Sequence, residues 1–216
     1  MTTFVYVGPS MSHEDARNIL NAEYLPPVKR GDLQKIPDDV DTVVIIDGVL
    51  LNDAAVGHRE IISLLNSDIS VIGGGSMGAL RAAELDSFGM KGVGRIYEEY
   101  RSGRVDGDDE VVLAYDPFSL APLSEPLINF RINLYEAVNN GAISKKVADE
   151  VMTALKNVYY PHRTSKKFME VVSVFLTESD CDSFLNYWNY NYKDYKNLDA
   201  RLILEGLKNN AKNLHF

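Results

Sequence analysis

The feature that most constrains this chain is the alternation, within its first hundred residues, of short apolar runs and amphipathic helical patterns. Residues 4–7, 42–46 and 69–72 form three runs rich in β-branched residues. The runs end, in order, at the turns Gly8-Pro9-Ser10, Asp47-Gly48 and Gly73-Gly74-Gly75-Ser76. Continuously apolar strands are typical of a parallel sheet that helices cover on both faces. The sequence therefore predicts an α/β fold with a parallel-sheet core in the N-terminal part.

Helical patterns fill the segments between these runs. Ser12, with Asp15 three residues later, predicts the capped start of a helix that runs to about Glu23. A second helix is predicted over about 53–66, and a third follows Ser76. These helices are the crossovers that parallel strands require.

Beyond about Pro117 the strand patterns give way to helical ones. Five helices are predicted, over 127–139, 144–159, 165–176, 181–192 and 198–214. We therefore predict an α/β core over 1–116 and an all-helical region packed on it over 117–216. The aromatic run 187–195 favours core or interface packing over a peptide-binding platform.

Composition excludes several classes of protein. The 216 residues carry 22 Lys and Arg against 31 Asp and Glu, a net charge of −9 that argues against a nucleic-acid binder. Cys181 is the single cysteine, which excludes an intrachain disulfide and suits a reducing cytosol. No run approaches the ~18 apolar residues that span a membrane. We expect a cytoplasmic protein without nucleic-acid or membrane partners.

Gly74-Gly75-Ser76-Met77-Gly78 matches the G-x-S-x-G pattern between a strand and a helix. There a serine hydroxyl can act as a nucleophile beside helix N-terminal N–H groups that stabilise an oxyanion. The same glycines could instead allow close packing, or the loop could cradle an anion. The pattern by itself leaves these three interpretations open.

A serine nucleophile needs a base and a group that orients the base. Asp47 lies at a predicted strand end, where parallel strands deliver residues to a ligand crevice, and His58 lies in the following helix. His13, in the first loop region, is a second candidate for the base.

Two charged segments are further candidates. Lys29, Arg30 and Asp32 form a compact loop that suits a carboxylate, a peptide terminus or a phosphate, or is a solvated surface loop. The run 106–110 is acidic, and we favour an acidic surface or partner contact over a cation site there.

Seven segments, in chain order, resemble the TfuA-like family: 7–10, 26–33, 45–48, 58–61, 76–85, 89–94 and 108–111. Together they cover roughly residues 4–130. The chain departs at Val28, where the family more often has alanine, and at Gly74-Gly75, where alanine is commoner just before the serine. Neither departure removes a polar group.

The resemblance implies a partner of YcaO-type enzymes, which use ATP to activate a peptide backbone amide. It implies hydrolysis of a thiocarboxylated ThiS-like sulfur-carrier protein, which releases sulfide for thioamidation of a ribosomal peptide natural product or of methyl-coenzyme M reductase. We expect a serine-dependent hydrolase without a metal or other cofactor. The alternatives are a non-catalytic adaptor that docks YcaO and its peptide substrate, and a generic serine esterase.

The expected site combines both lines of reasoning. Ser76 is the expected nucleophile or oxyanion donor, His58 the base and Asp47 the orienting residue or acid. The expected substrate contacts are Gly8, Ser10, Lys29, Arg30, Asp32, Gly48, Gly75, Met77 and Arg81.

Overall fold

The structure, a computed structural model, describes residues 2–50 and 54–213, with side chains up to residue 209. These residues fold into two compact units. Unit 1 holds the described residues up to Asp108, the segment Pro117–Ala121 and the described residues from Tyr195 onward, whereas unit 2 holds Asp109–Asp116 and Pro122–Asp194.

Unit 1 is built on a five-stranded, fully parallel sheet with the strand order β2-β1-β3-β4-β5. The strands are β1 (Thr3–Tyr6), β2 (Glu23–Leu25), β3 (Thr42–Ile45), β4 (Ser70–Gly74) and β5 (Lys91–Val93). Along the central strands β1, β3 and β4, Tyr6 pairs with Ile45, and Ile45 pairs with Gly73. This register brings the turns that follow these three strands to one edge of the sheet.

Helices cover both faces of that sheet. They are α1 (His13–Ile19), α2 (His58–Leu65), α3 (Met77–Leu85), α4 (Arg95–Arg101) and α9 (Tyr195–Asn213). The core against α1 and α9 joins Val5, Val44 and Ile46 of the sheet region to Ala200 and Leu204 of α9. Because alternate residues of a strand point to one face, this pattern is what a strand covered by helices requires.

Unit 2 is helical, with α5 (Leu127–Asn139), α6 (Lys145–Lys156), α7 (Ser165–Phe175) and α8 (Glu178–Asn191). Its core is a cluster of stacked aromatic rings. Phe168 stacks on Phe130 with ring centroids 4.7 Å apart and on Trp188 at 4.2 Å. Since Trp188 is buried, the predicted core role of the aromatic run holds for this residue.

The α/β fold class and the helical C-terminal part are confirmed. Two elements were not predicted: strand β5 and helix α4, which are short and lack a long apolar run. Helix α1 ends at Ile19 rather than at about Glu23. The predicted start of α2 at about Asp53 and the predicted end of the last helix at Leu214 lie outside the described residues.

The division of the chain differs from the predicted boundary after residue 116. The last helix, α9, lies in unit 1, because its apolar face packs on the sheet core rather than among the helices of unit 2. Within the described ranges, no helix has the length and apolar character that crossing a membrane would require.

Candidate functional site

The candidate site lies at the carboxyl edge of the sheet in unit 1, where the turns after β1, β3 and β4 meet. The chain leaves β1 toward the outer strand β2, whereas β3 continues to β4 on the opposite side. In open parallel sheets, ligands bind at such a switch in strand order. The predicted location of the crevice therefore coincides with a feature of the observed topology.

Asp47 is the buried centre of this edge. Its Oδ2 accepts hydrogen bonds from the backbone N–H groups of Gly8 and Ser10, each at 2.9 Å, and its Oδ1 accepts one from the Ser10 hydroxyl at 2.7 Å. Three donors of the β1 turn thus converge on one carboxylate. Charge-assisted hydrogen bonds of this kind are stronger than neutral ones, so Asp47 fixes the shape of the turn after β1.

Lys196, near the start of α9, completes the cluster. Its side chain is 3% exposed, and its Nζ lies 3.4 Å from Asp47 Oδ1. The next residue, Asn197, donates a side-chain hydrogen bond of 3.0 Å to the carbonyl of Ser10. Sequence reasoning missed both residues, because they lie in the helical part of the chain, up to 187 positions from their partners.

Asp199 ties α9 to a second part of unit 1. Its two carboxylate oxygens accept the backbone N–H groups of Arg95 and Ile96, each at 2.8 Å, at the start of α4. Burial raises the pKa of Asp199 to about 6, and the two backbone hydrogen bonds oppose that rise. One turn of α9 therefore holds the β1 turn at one end and α4 at the other.

Ser76 lies in the sharp turn between β4 and α3. Gly75 has φ +70°, a conformation that favours glycine, and the backbone N–H of Ser76 donates to the carbonyl of Gly74 at 2.8 Å. Ser76 is 3% exposed, yet its hydroxyl neither caps α3 nor makes another hydrogen bond within the described part of the chain. The hydroxyl is therefore not committed to stabilising the turn.

The glycines around Ser76 have a packing role. A Cβ on Gly78 would lie 1.7 Å from the carbonyl oxygen of Ile45, and one on Gly48 would lie 1.9 Å from Cε of Met77. The first turn of α3 therefore contacts the end of β3 directly. The packing interpretation of the G-x-S-x-G pattern is confirmed for Gly78, and the same packing sets Ser76 beside the Asp47 turn.

The expected arrangement of Asp47, His58 and Ser76 is not assembled in the structure. His58 is half-exposed at the start of α2, where its Nε2 lies 2.8 Å from a carboxylate oxygen of Glu84 and 3.4 Å from a guanidinium nitrogen of Arg81. Among the described residues, no hydrogen bond joins His58 to Asp47 or to Ser76. The helix phase explains this, because it directs the ring toward the side chains of α3.

The alternative base, His13, is also engaged elsewhere. Its Nε2 donates a 2.8 Å hydrogen bond to the carbonyl of Val7. This contact anchors the start of α1 to the end of β1, which is a structural role.

The charged loop after β2 borders the site. Val28 pairs with Gly48 through an isolated parallel bridge, and its N–H donates to the carbonyl of Asp47 at 3.0 Å. Asp32 accepts the backbone N–H of Lys29 at 3.1 Å, so it stabilises the loop itself. The side chains of Lys29 and Arg30 are exposed next to the turn that carries Asp47.

The remaining expected contacts differ in kind. Met77 is buried against Gly48, and the guanidinium of Arg81 pairs with Glu84 while its Nε is buried without a hydrogen-bond partner among the described residues. Their role as substrate contacts stays a prediction. Buried Glu110, at the end of the acidic run, forms a two-point ion pair with Arg131 within unit 2. The predicted acidic surface is therefore limited to exposed residues such as Asp106. The described residues hold no group of three or more side chains arranged as metal ligands.

Comparison with known proteins agrees with the later segments that carry the resemblance, from 58–61 onward. The family model of the TfuA-like proteins matches residues 47–164, more than half of the chain, and includes Asp47, His58 and Ser76. A search of the curated proteins finds no match. The chain belongs to the TfuA-like family.

Proposed function

We propose that this protein hydrolyses a thiocarboxylated ThiS-like sulfur-carrier protein and releases sulfide for a YcaO-type enzyme that thioamidates a peptide backbone. The observation that carries the proposal is the buried cluster of Ser10, Asp47 and Lys196 beside Ser76. Buried charges are costly to a fold, and they concentrate at functional sites. Membership in the TfuA-like family supports this choice of reaction.

The reaction balances with water as the only co-reactant. A C–O bond forms at the carbonyl carbon of the carrier thiocarboxylate, and the C–S bond breaks. Sulfide leaves with the bonding electron pair as HS⁻, and the carrier regains its carboxylate with the release of a proton. Sulfide is a better leaving group than an amine, so stabilising the negative charge of the tetrahedral intermediate is the main catalytic requirement.

Two features of the site suit that requirement. The buried ammonium of Lys196 offsets the negative charge of Asp47, so an anionic intermediate would meet less repulsion from that carboxylate. The N–H of Met77, the first residue of the nine-residue helix α3, follows directly on Ser76 and can favour an oxyanion, whereas the N–H groups of Gly78 and Ala79 already donate to the carbonyls of Ile46 and Ser76. Exposed Lys29 and Arg30 would attract the negatively charged thiocarboxylate end of the carrier tail.

Ser76 has one of two roles in this proposal. As a nucleophile it forms an acyl-enzyme intermediate that water then hydrolyses. As an oxyanion donor it stabilises the intermediate formed by direct attack of water. The geometry is compatible with both roles, because the Ser76 hydroxyl has no hydrogen-bond partner within the described residues.

The decisive experiment measures sulfide release from a purified carrier thiocarboxylate by wild type, Ser76→Ala and His58→Ala. Wild type should exceed the spontaneous rate. Ser76→Ala should lose about 10³-fold or more of kcat if Ser76 is a nucleophile and about 10²-fold if it is an oxyanion donor. His58→Ala should change kcat by less than about threefold, because His58 is engaged with Glu84; a loss comparable with that of Ser76→Ala would restore His58 as the base.

The absence of release above the spontaneous rate would favour the second candidate, an adaptor that docks YcaO and its peptide. Strongly exposed side chains on the helices of unit 2, Val174 and Tyr190, favour this alternative. An adaptor tolerates Ser76→Ala when free sulfide is supplied for thioamide formation, but fails when Tyr190 is replaced by Asp. A cytoplasmic location suits both candidates and stays a prediction.

A further inference from the structure

The loop from Tyr115 to Pro122 carries the most exposed large hydrophobic side chain in the described part of the chain. The bridge between Tyr115 and Pro122 is antiparallel, and the Leu123 N–H donates to the Ala114 carbonyl at 2.7 Å, so the neck of the loop is closed by backbone pairing. At its tip, Phe118 is 95% exposed. A closed loop that keeps a phenylalanine in water is a candidate contact surface for another macromolecule.

The tip of this loop, Pro117–Ala121, is seated in unit 1. Leu120 Cδ1 lies 3.3 Å from the point that a Cβ on Gly8 would occupy, so Leu120 packs on the turn after β1. The N–H of Gly8 in turn donates to Asp47 at 2.9 Å. The loop therefore borders the candidate site through a single residue of the β1 turn.

The backbone of the tip is held in an unusual conformation. Leu120 has φ +60°, which is strained for a leucine side chain and persists only where the surroundings impose it. The contact with Gly8 is one such constraint. Phe118 is two residues from Leu120, at most ~7 Å of extended chain, so its backbone lies close to the turn after β1.

We propose that the loop tip Pro117–Ala121 is the docking element for the sulfur-carrier protein, with Phe118 packing on the carrier surface next to its C-terminal tail. This inference rests on the proposed function, because it takes the carrier as the substrate. Aromatic side chains that become buried on association often dominate the affinity of an interface. Contact with Phe118 would favour a thiocarboxylate carried by a protein over a small-molecule thiocarboxylate, since only a protein is large enough to reach both Phe118 and the candidate site.

The test compares Phe118→Ala with Phe88→Ala, which changes the same residue type in the same unit. Phe88 is 60% exposed and follows α3, at the opposite edge of the sheet from the site. Both substitutions remove exposed rings, so both variants should fold. KM and kcat are measured with the carrier thiocarboxylate and with thioacetate, and Kd is measured by calorimetry with the carrier in its carboxylate form.

Phe118→Ala should raise KM for the carrier and Kd for its carboxylate form at least tenfold, with kcat and thioacetate hydrolysis within twofold of wild type. Phe88→Ala should change none of these quantities by more than twofold. The inference is overturned if Phe118→Ala leaves KM and Kd within twofold, or if Phe88→Ala has the same effect.

The outcomes also separate this inference from the proposed function. If wild type binds the carboxylate form through Phe118 but releases no sulfide, the docking element stands and hydrolysis fails. If wild type releases sulfide and Phe118→Ala behaves like wild type, hydrolysis stands and the docking element fails. If wild type neither binds the carrier nor releases sulfide, both the docking element and the proposed hydrolysis are overturned.

Discussion

The two units differ in the kind of side chain that they bury around their centres. At the carboxyl edge of its sheet, unit 1 buries Ser10, Asp47, Ser76 and Lys196, whose polar atoms must find partners or lose stability. Unit 2 fills its centre with aromatic rings, and its buried Glu110 is matched by Arg131. Unit 1 therefore gathers four buried polar side chains at a topological switch point, where a ligand can be bound, whereas the centre of unit 2 is an apolar aromatic cluster.

Among the substitutions considered, Asp47→Ala should have the largest effect, because it removes the centre of the buried polar cluster of unit 1. The substitution removes the buried carboxylate that pairs with the Lys196 ammonium and accepts the N–H groups of Gly8 and Ser10. We expect a loss of about 4 kcal/mol in the free energy of unfolding, because one half of a buried ion pair remains, together with loss of sulfide release. Urea denaturation of the purified variant measures the first effect.

Asp38→Ala is the matched control for that prediction. Asp38 is exposed in the same unit, so its removal should change the free energy of unfolding by no more than about 0.5 kcal/mol. Equal stability losses in the two variants would contradict a special role for Asp47.

Trp188→Ala should produce the next largest effect, of a different kind. It removes the ring that stacks on Phe168 and packs near Phe130 in unit 2. We expect a loss of about 3 kcal/mol in stability, typical of a large-to-small change in an aromatic core. Hydrolysis of thioacetate below the unfolding transition should persist, since no residue of the candidate site is changed; its loss would show that the units are not separable in function.

Asp199→Asn should have the smallest effect, visible as a dependence on pH. The pKa of Asp199 is raised to about 6 in the folded chain from 3.8, so the folded state binds this proton more tightly than the unfolded state. The carboxyl group therefore adds stability as the pH falls below about 6. Relative to Asp199→Asn, wild type should gain about 1 kcal/mol between pH 7 and pH 5, and a difference independent of pH in parallel thermal unfolding would contradict this.

Local patterns predicted much of unit 1. The apolar runs of β1, β3 and β4, the position of Asp47 and the turn at Ser76 are encoded by neighbouring residues, so they could be predicted without knowledge of the fold. The partnership of Lys196 with Asp47 could not, because no local signal distinguishes Lys196 from the exposed lysines of other helices. The ring of His58 was assigned to the site because it is close in sequence, whereas its helix phase points it at Glu84.

Because α9 belongs to unit 1 but follows unit 2 in the sequence, the ribosome finishes unit 1 only after it has made unit 2. Roughly 90 residues separate Asp108 from Tyr195, and at about 5 to 20 residues per second a ribosome needs about 5 to 20 seconds to add them. Until then one face of the sheet lacks the cover of Ala200 and Leu204, and Asp47 lacks Lys196. A nascent chain therefore carries Ser76 before the cluster of Asp47 and Lys196 is complete, and the proposed hydrolysis would begin only after α9 has been translated.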